Sequence, residues 1–120
     1  MKILRKNRGG SKITRFQLHV YEATKKIPRG RVTTYKILTD YISAKGRRGS
    51  CRAVGQALRR NPFAPKVPCH RVIASDLSAG GFKGGSTVAL IRRKLNLLGK
   101  EGVKFINGRL VNPTLIYRFK

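Results

Sequence analysis

The sequence predicts a mainly α-helical fold, a winged helix-like helix-turn-helix domain that ends in a short β-hairpin. Apolar residues recur at helical spacing in four segments of the chain. Two of the shorter segments flank the basic, glycine-containing stretch AKGRRG, and an Asn-Gly pair lies between two short alternating runs near the C-terminus. At 120 residues the chain has room for one small domain with a modest core.

The first two helical segments are bounded by residues that begin or end helices. In FQLHVYEATKKIP, apolar side chains recur at helical spacing up to Ile27, and Pro28 with Gly30 is expected to stop the helix. In TTYKILTDYIS, Thr33 or Thr34 is the expected N-cap, because a threonine hydroxyl accepts a hydrogen bond from the first helical turn. Both helices are expected to contribute to the core.

Two further helical segments and a hairpin complete the predicted fold. The segment SCRAVGQALRRNP begins with Ser50 as a cap and ends before Pro62. The stretch from Ser86 to Leu98 returns to helical spacing, and Gly99 is expected to cap its end. The NG pair in VKFINGRLV indicates a tight turn between two strands, which would form the wing.

Net charge is the strongest signal in the composition. The chain carries 28 Lys and Arg residues against four acidic ones, for a formal charge of +24 and a pI of about 11.6. Such a charge favours a polyanionic partner, which means DNA, RNA or an anionic membrane surface. On charge alone, a nonspecific DNA-coating protein is one interpretation.

The charge is not evenly spread, and it suggests a division of the chain. Residues 1–13 are predicted to form a basic N-terminal arm that lies along phosphates, with a solvated tail of no specific role as the alternative. Residues 14–120 are predicted to form the domain. No run of 18 or more apolar residues is present, so we expect no membrane-spanning helix and no membrane partner. We expect a monomer in the cytoplasm, or in the nucleus of a eukaryote.

Cysteine and histidine residues are too few and too scattered for a structural zinc site. Cys51, Cys69, His19 and His70 are the full set, and they form neither a CxxC nor an HxxxH pair. We therefore expect no metal and no other cofactor. Two cysteines in a basic chain of intracellular type are expected to be free thiols rather than a disulfide.

The stretch VPCHRVIAS places a cysteine directly before a histidine. In a straight strand these neighbours would point to opposite faces, so a working pair of Cys69 and His70 needs a turn, and Pro68 makes a bend plausible. A thiol is unreactive until it is ionised, which a cationic neighbour such as Arg71 or a proton-accepting histidine would favour. The residues alone leave two interpretations open: a nucleophile and an inert buried cysteine.

A resemblance to a known family rests on four stretches: PCHRV, the upstream TYKIL and RAVGQALRRNP, and the downstream GGFKGG. In order and spacing they resemble the C-terminal DNA-binding domain of the O6-alkylguanine-DNA alkyltransferases, or methylated-DNA–protein-cysteine methyltransferases. The resemblance covers residues 14 to 111. It implies binding to double-stranded DNA that contains O6-alkylguanine, flipping of the damaged nucleotide, and irreversible transfer of its alkyl group to Cys69. Each protein molecule would repair one lesion.

The resemblance also implies the roles of the residues that act with Cys69. His70 would take the thiol proton through a water molecule, and Glu101 of GKEGV would orient His70. Tyr35 would lie beside the phosphate of the flipped nucleotide and give a proton to N3 of the leaving guanine. Together these four residues form the implied catalytic set.

The helix after Ser50 would carry the DNA contacts that the resemblance implies. Arg52 would enter the gap that the flipped nucleotide leaves in the base stack, with Ala53 and Arg59 facing the DNA on the same helix. Gly55 would allow DNA to approach closely. Glycine in a helix is also commonly a packing accommodation, so both interpretations of Gly55 stay open.

The implied substrate pocket is built largely from backbone groups. Asn61 would act as a hinge between the recognition helix and the active-site segment, with its side chain bonded to the backbone there. The carbonyls of Cys69 and Val72 would accept from the guanine amino group, and the backbone N–H of Lys83 would donate to O6. The other implied pocket residues are Pro68, Phe82 and Gly84.

Some features depart from the family pattern. Most members carry an additional N-terminal domain, which we expect to be absent because only a short basic stretch precedes Phe16. Phe82 and Lys83 stand where the family often has Tyr-Ser, which keeps an aromatic ring and loses both hydroxyls. The segment from Gly85 to Glu101 is also longer than is typical.

The alkyltransferase-like proteins are the alternative class. They bind alkylated DNA without repairing it, and they have another residue, commonly tryptophan, at the cysteine position. The compact chain and the EGV sequence before the hairpin are similar to that class. Cys69 favours the transferase.

Overall fold

The computed structural model describes residues 13–46, 49–80 and 87–119, and it confirms the mainly α-helical prediction. Within these residues, four α-helices are joined by two pairs of two-residue strands and two short 3₁₀ turns. The elements in chain order are α1 (Arg15–Thr24), β1 (Thr33–Thr34), α2 (Tyr35–Ala44), α3 (Cys51–Arg59), a 3₁₀ turn (Cys69–Arg71), β2 (Val72–Ile73), α4 (Val88–Lys100), β3 (Phe105–Ile106), β4 (Arg109–Leu110) and a second 3₁₀ turn (Pro113–Leu115).

Each of these helices begins after a hydroxyl-bearing N-cap. The side-chain oxygen of the cap accepts a hydrogen bond from the backbone N–H three residues later, which satisfies one of the four unpaired donors of the first turn. In α1 the N3 residue Gln17 returns a bond to the cap backbone, which completes a capping box. The caps are Thr14, Thr34, Ser50 and Thr87. Ser50 is confirmed as the cap of α3. Of the two candidates for α2, Thr33 and Thr34, the cap is Thr34.

The first helix is shorter than its apolar spacing predicted. Helix α1 ends at Thr24, with Lys25 as the C-cap, and the chain turns before Pro28. Ile27 is nevertheless buried, because the loop itself packs against the core. Apolar spacing alone cannot distinguish a last helical turn from a loop that buries its side chain.

The prediction that Gly99 ends α4 is wrong. Gly99 lies inside the helix, which runs to Lys100, and Glu101 is the C-cap. The left-handed turn that follows is made by Gly102, whose φ is +85°. The helix also begins later than predicted, at Val88.

A short parallel strand pair, which the sequence pattern did not predict, positions the site. Strand β1 pairs with β2 in the register Thr33 to Val72 and Thr34 to Ile73. Helix α2 starts immediately after β1, and the Cys69–Arg71 turn ends immediately before β2. The pair therefore fixes Tyr35 beside the turn that contains Cys69.

Two groups of buried residues hold the elements together. The larger group packs α1, α2 and α3 against the Cys69 segment. The smaller group joins the strand pair to α4 and to the hairpin of β3 and β4. Its buried members are Val32, Ile73, Leu98, Val103 and Leu110.

The hairpin prediction is confirmed. Strand β3 pairs antiparallel with β4, and both central turn residues have positive φ, at 52° for Asn107 and 79° for Gly108. These values are typical of a type I′ turn. The N–H of Leu110 donates to the carbonyl of Leu77, so the hairpin is attached to the segment that follows β2.

Gly108 in the hairpin turn and Gly99 in α4 allow a matched test of the turn. A Cβ added at Gly108 or at Gly99 would meet no heavy atom within 4 Å, so the two sites differ in backbone conformation rather than in space. We expect Gly108→Ala to lower stability by about 1–2 kcal/mol, because alanine resists positive φ. Gly99→Ala should instead raise stability by about 0.5–1 kcal/mol, because it stiffens a helical position. Thermal denaturation measures both, and a Gly108→Ala variant that melts at or above wild type would contradict the turn.

Candidate active site

Cys69 and His70 lie in a bent segment of the chain. Pro68 precedes the 3₁₀ turn, and Cys69 and His70 are both buried within it. The N–H of Cys69 donates to the carbonyl of Val67 at 2.8 Å, and the N–H of Arg71 donates to that of Pro68 at 2.9 Å. The expected helical turn at the Cys-His pair is confirmed.

His70 is held by Glu101, which lies 31 residues further along the chain. Its Nε2 lies 2.9 Å from Oε2 of Glu101, and the two side chains are only 5% and 6% exposed. An ionised carboxylate only accepts hydrogen bonds, so Nε2 carries the proton and Nδ1 is the acceptor of the ring. The structure thus brings together the two residues that the resemblance paired.

Arg71 holds the same carboxylate from the other side. Its Nε donates to Oε1 of Glu101 and its Nη2 to Oε2, both at 2.9 Å, while Nη1 donates to the carbonyl of Ile27 at 2.9 Å. Arg29 is more distant, at 4.0 Å, and its side chain is mostly exposed. Glu101 is therefore enclosed by His70 and by a bidentate guanidinium.

The surroundings of this cluster keep the Glu101 carboxylate ionised and the His70 imidazole neutral. Burial by itself would raise the pKa of Glu101, but the hydrogen bonds from Arg71 and His70 and their charges lower it to about 2. Burial lowers the pKa of His70 from 6.5, against the bond to Glu101, and the positive charges of Arg71 and Lys94 lower it further. His70 is thus a neutral base at neutral pH.

Lys94 is a member of the site that the sequence analysis missed. Its side chain is fully buried, and Nζ donates to the carbonyl of Val72 at 2.7 Å. The ammonium lies 6.0 Å from the centre of the Tyr35 ring. Burial lowers the pKa of Lys94 to about 8, and the charge of Cys69 opposes this shift. The available signal was its position on the apolar face of α4, one turn before the buried Leu98.

Tyr35 is the first residue of α2 and is half-buried next to the Cys69 turn. Burial, and to a smaller extent the charge of Cys69, raises the pKa of its phenol to about 12. The phenol therefore keeps its proton at neutral pH. A Cβ added at Gly80 would lie 3.5 Å from the Tyr35 ring, so the chain after β2 passes close to it.

Asn61 makes the backbone bonds that the resemblance implied. Its Nδ2 donates to the carbonyl of Val67 at 2.8 Å, and its Oδ1 accepts from the N–H of Phe63 at 2.9 Å. These bonds connect the end of α3 to the segment that contains Pro68. The hinge role itself stays a prediction, as does the expected contact of the Val72 carbonyl with guanine.

Helix α3 presents arginine side chains to solvent. Arg52 and Arg59 are exposed, and Ala53 and Gly55 are partly buried. A Cβ added at Gly55 would meet nothing within 4 Å, so internal packing does not explain this glycine. On the opposite side the helix is fixed to α1, because the hydroxyl of Tyr21 donates to the carbonyl of Ala57 at 2.7 Å.

Some predicted features lie outside the described residues. The pocket positions Phe82, Lys83 and Gly84 fall there, as do residues 1–12 of the basic arm. Over the ranges 13–46, 49–80 and 87–119 there is no group of three or more metal-ligating side chains that could hold an ion. No helix in those same ranges is long and apolar enough to cross a membrane.

The chain is similar to known proteins over most of its length. Residues 15–103 match the family model described as 6-O-methylguanine DNA methyltransferase, DNA binding domain. A methylated-DNA–protein-cysteine methyltransferase of Methanothermobacter thermautotrophicus is 42% identical over 90 residues, which are 75% of this chain and 46% of that protein. This chain spans about half the length of the curated relatives it matches.

Two solved structures with DNA are also similar. Mycobacterium tuberculosis OGT in complex with DNA has a TM-score of 0.62 and 42% identity, over 73% of this chain and 50% of that one. S. pombe Atl1, in complex with damaged DNA containing O6-carboxymethylguanine, has a TM-score of 0.69 and 31% identity, over 85% of this chain and 94% of that one. Since the family model covers well over half of the residues, this chain belongs to the 6-O-methylguanine DNA methyltransferase family and carries its DNA-binding domain.

Proposed function

We propose that this chain repairs alkylated double-stranded DNA by moving the alkyl group of O6-alkylguanine onto Sγ of Cys69, once per molecule. The observation that carries this proposal is the buried hydrogen bond next to Cys69. Nε2 of His70, in the same 3₁₀ turn as Cys69, lies 2.9 Å from the carboxylate of Glu101. A family relative named as a methylated-DNA–protein-cysteine methyltransferase supports the same activity.

In the proposed reaction, His70 and Tyr35 each transfer a proton, and Glu101 stabilises a positive charge. Nδ1 of His70 takes the thiol proton of Cys69 through a water molecule, and Glu101 stabilises the imidazolium that forms. The thiolate attacks the alkyl carbon, a C–S bond forms, and the C–O6 bond breaks with its electron pair on guanine. Tyr35, whose phenol is protonated at neutral pH, gives a proton to N3 of the leaving guanine. The thioether has no route back to a thiol, so the protein is consumed.

Lys94 supports negative charge at the reacting centre. Its ammonium is buried and interacts electrostatically with Cys69. Because it also donates to the Val72 carbonyl, Lys94 holds the backbone directly after the turn. We propose that both the charge and the position of Lys94 assist the attack of Cys69 on the alkyl carbon.

DNA binding is proposed to use α3 and the net positive charge. A base within a duplex cannot present its O6 substituent to a buried thiolate, so the nucleotide must be flipped out at a cost of a few kcal/mol. Arg52 at the exposed start of α3 is proposed to fill the vacated stack. Residues 1–13, as a basic arm, are proposed to add phosphate contacts that increase affinity without choosing the lesion.

A second candidate function is lesion binding without repair. The observation in its favour is the similarity to Atl1, 94% of which is covered by this chain. The two functions differ at Cys69, because lesion binding alone leaves the thiol unchanged.

The site of alkylation separates these two functions. Trypsin releases Cys69 in the peptide VPCHR and Cys51 in GSCR, so each thiol is weighed separately. After incubation with duplex DNA containing O6-methylguanine, we expect VPCHR to gain the mass of one CH₂ unit and GSCR to be unchanged. Cys69→Ala should abolish transfer and keep lesion binding, because only the thiol does the covalent chemistry, while Cys51→Ala should keep both. An unmodified VPCHR peptide from protein that binds the lesion would establish the second function instead.

The proposed role of Arg52 is tested by comparing two substrates. Arg52→Ala should slow transfer from duplex DNA by roughly tenfold or more, since flipping costs a few kcal/mol that Arg52 helps to offset. Transfer from free O6-benzylguanine needs no flipping and should change little. Arg92→Ala, which removes an exposed arginine from α4, is the matched control for loss of charge. Equal losses on both substrates for Arg52→Ala would contradict the role.

A further inference from the structure

We infer that Arg71 is a positioning residue for alkyl transfer: its guanidinium holds both carboxylate oxygens of Glu101 and so directs Oε2 to Nε2 of His70. The inference rests on the proposed function, in which His70 is the base. The sequence alone indicates Arg71 only as a cationic neighbour of Cys69.

The contacts of Glu101 are the first support. Its side chain is 6% exposed, and both of its oxygens accept from Arg71 at 2.9 Å, whereas His70 bonds Oε2 alone. Charge-assisted bidentate pairs of this kind fix orientation as well as distance. Without Arg71, the buried carboxylate would keep only one neutral donor and the exposed Arg29 at 4.0 Å. The orientation of Glu101 therefore depends mainly on Arg71.

The third hydrogen bond of Arg71 fixes the guanidinium itself. Nη1 donates to the carbonyl of Ile27, and the Ile27 side chain is buried in the core. The guanidinium plane is thus held between the loop after α1 and the end of α4. A lysine could supply a similar charge here, but it has no planar group that donates in three fixed directions. The variant Arg71→Lys therefore separates charge from geometry.

The charges that face His70 determine how its proton affinity changes. Helix α4 and its C-cap contribute Lys94 and Glu101, and the turn itself contributes Arg71. Arg29, on the loop after α1, is 4.0 Å from the Glu101 carboxylate. Of these, Glu101 favours the imidazolium, whereas Arg71 and Lys94 disfavour it. Loss of the Arg71 charge leaves Glu101 less compensated, so the pKa of His70 should rise and the base should be protonated at higher pH.

The test is the single-turnover rate of transfer from free O6-benzylguanine, measured from about pH 5 to pH 9. We expect Arg71→Gln to lower the plateau about tenfold or more, since misplacing the base is costly, and to move the acid limb to higher pH. Arg71→Lys should lower the plateau and leave the limb near its wild-type position. The matched control is Arg31→Gln. Like Arg71, Arg31 is a partly buried arginine that donates to the backbone, in its case to the carbonyls of Leu115 and Ile116. That control should lower the melting temperature without changing the plateau or the limb.

A double-mutant cycle identifies the residue through which Arg71 acts. If it acts through Glu101, Arg71→Gln should slow transfer much less in the Glu101→Gln background than in wild type. The same loss in both backgrounds, or a loss with an unmoved acid limb and a lower melting temperature, would overturn the inference. Wild-type protein that transfers no alkyl group would contradict the proposed function instead. In that case nitrogen-15 NMR of the neutral His70 ring still decides: loss of the single Nε2-protonated tautomer in Arg71→Gln supports the positioning, and an unchanged tautomer overturns it.

Discussion

The buried carboxylate of Glu101 is the constraint on which the rest of the site depends. It is the meeting point of three parts of the chain: the C-cap of α4, the 3₁₀ turn of His70 and Arg71, and the loop that carries Arg29. A buried carboxylate is unfavourable unless its charge is balanced and its oxygens accept hydrogen bonds. Here both conditions are met by the same contacts that orient His70, the proposed base. Stability and the proposed chemistry therefore require the same contacts of Glu101.

The strand pair and Asn61 place the other groups around this centre. Strands β1 and β2 are only two residues long, yet their register fixes Tyr35 against the turn that contains Cys69. Asn61 ties the end of α3 to the carbonyl of Val67, directly before that turn. A DNA duplex held by α3 would thus be held at a set distance from the thiol. The Asn61 connection is made by a short hydrogen bond from its side chain to a backbone carbonyl, which tolerates little displacement.

Local signals in the sequence were sufficient for parts of the fold. The hydroxyl caps of α2 and α3, the type I′ turn at Asn107 and Gly108, and the bend at Cys69 each follow from neighbouring residues, and each is confirmed. The helix ends were less predictable, because Ile27 is buried from a loop and Gly99 is followed by a better turn residue, Gly102. The burial of Ile27 depends on core residues that are distant in sequence, whereas the end of α4 is set by a glycine three residues after Gly99.

In the candidate site, too, local signals predicted less than contacts between residues distant in sequence determine. The contact between His70 and Glu101 was expected only from the family resemblance, because nothing local connects residues 31 positions apart. The strand pair of β1 and β2 is too short to leave a pattern in the sequence. Lys94 was missed, and Arg71 was expected only as a cation near Cys69, because a charged residue is ordinarily expected at the surface, whereas these two make hydrogen bonds inside the protein. A lysine on an apolar helix face was the one available indication.

If Glu101 fixes the tautomer of His70, nitrogen-15 NMR of histidine-labelled protein at neutral pH should detect that tautomer. The two imidazole nitrogens of a neutral ring have distinct chemical shifts, and only one of them carries the proton. A variant with His19 replaced leaves a single labelled ring to assign. We expect Nε2 of His70 to be protonated and Nδ1 to be the acceptor. A ring protonated at Nδ1 would contradict it, because that nitrogen could then take no proton from Cys69.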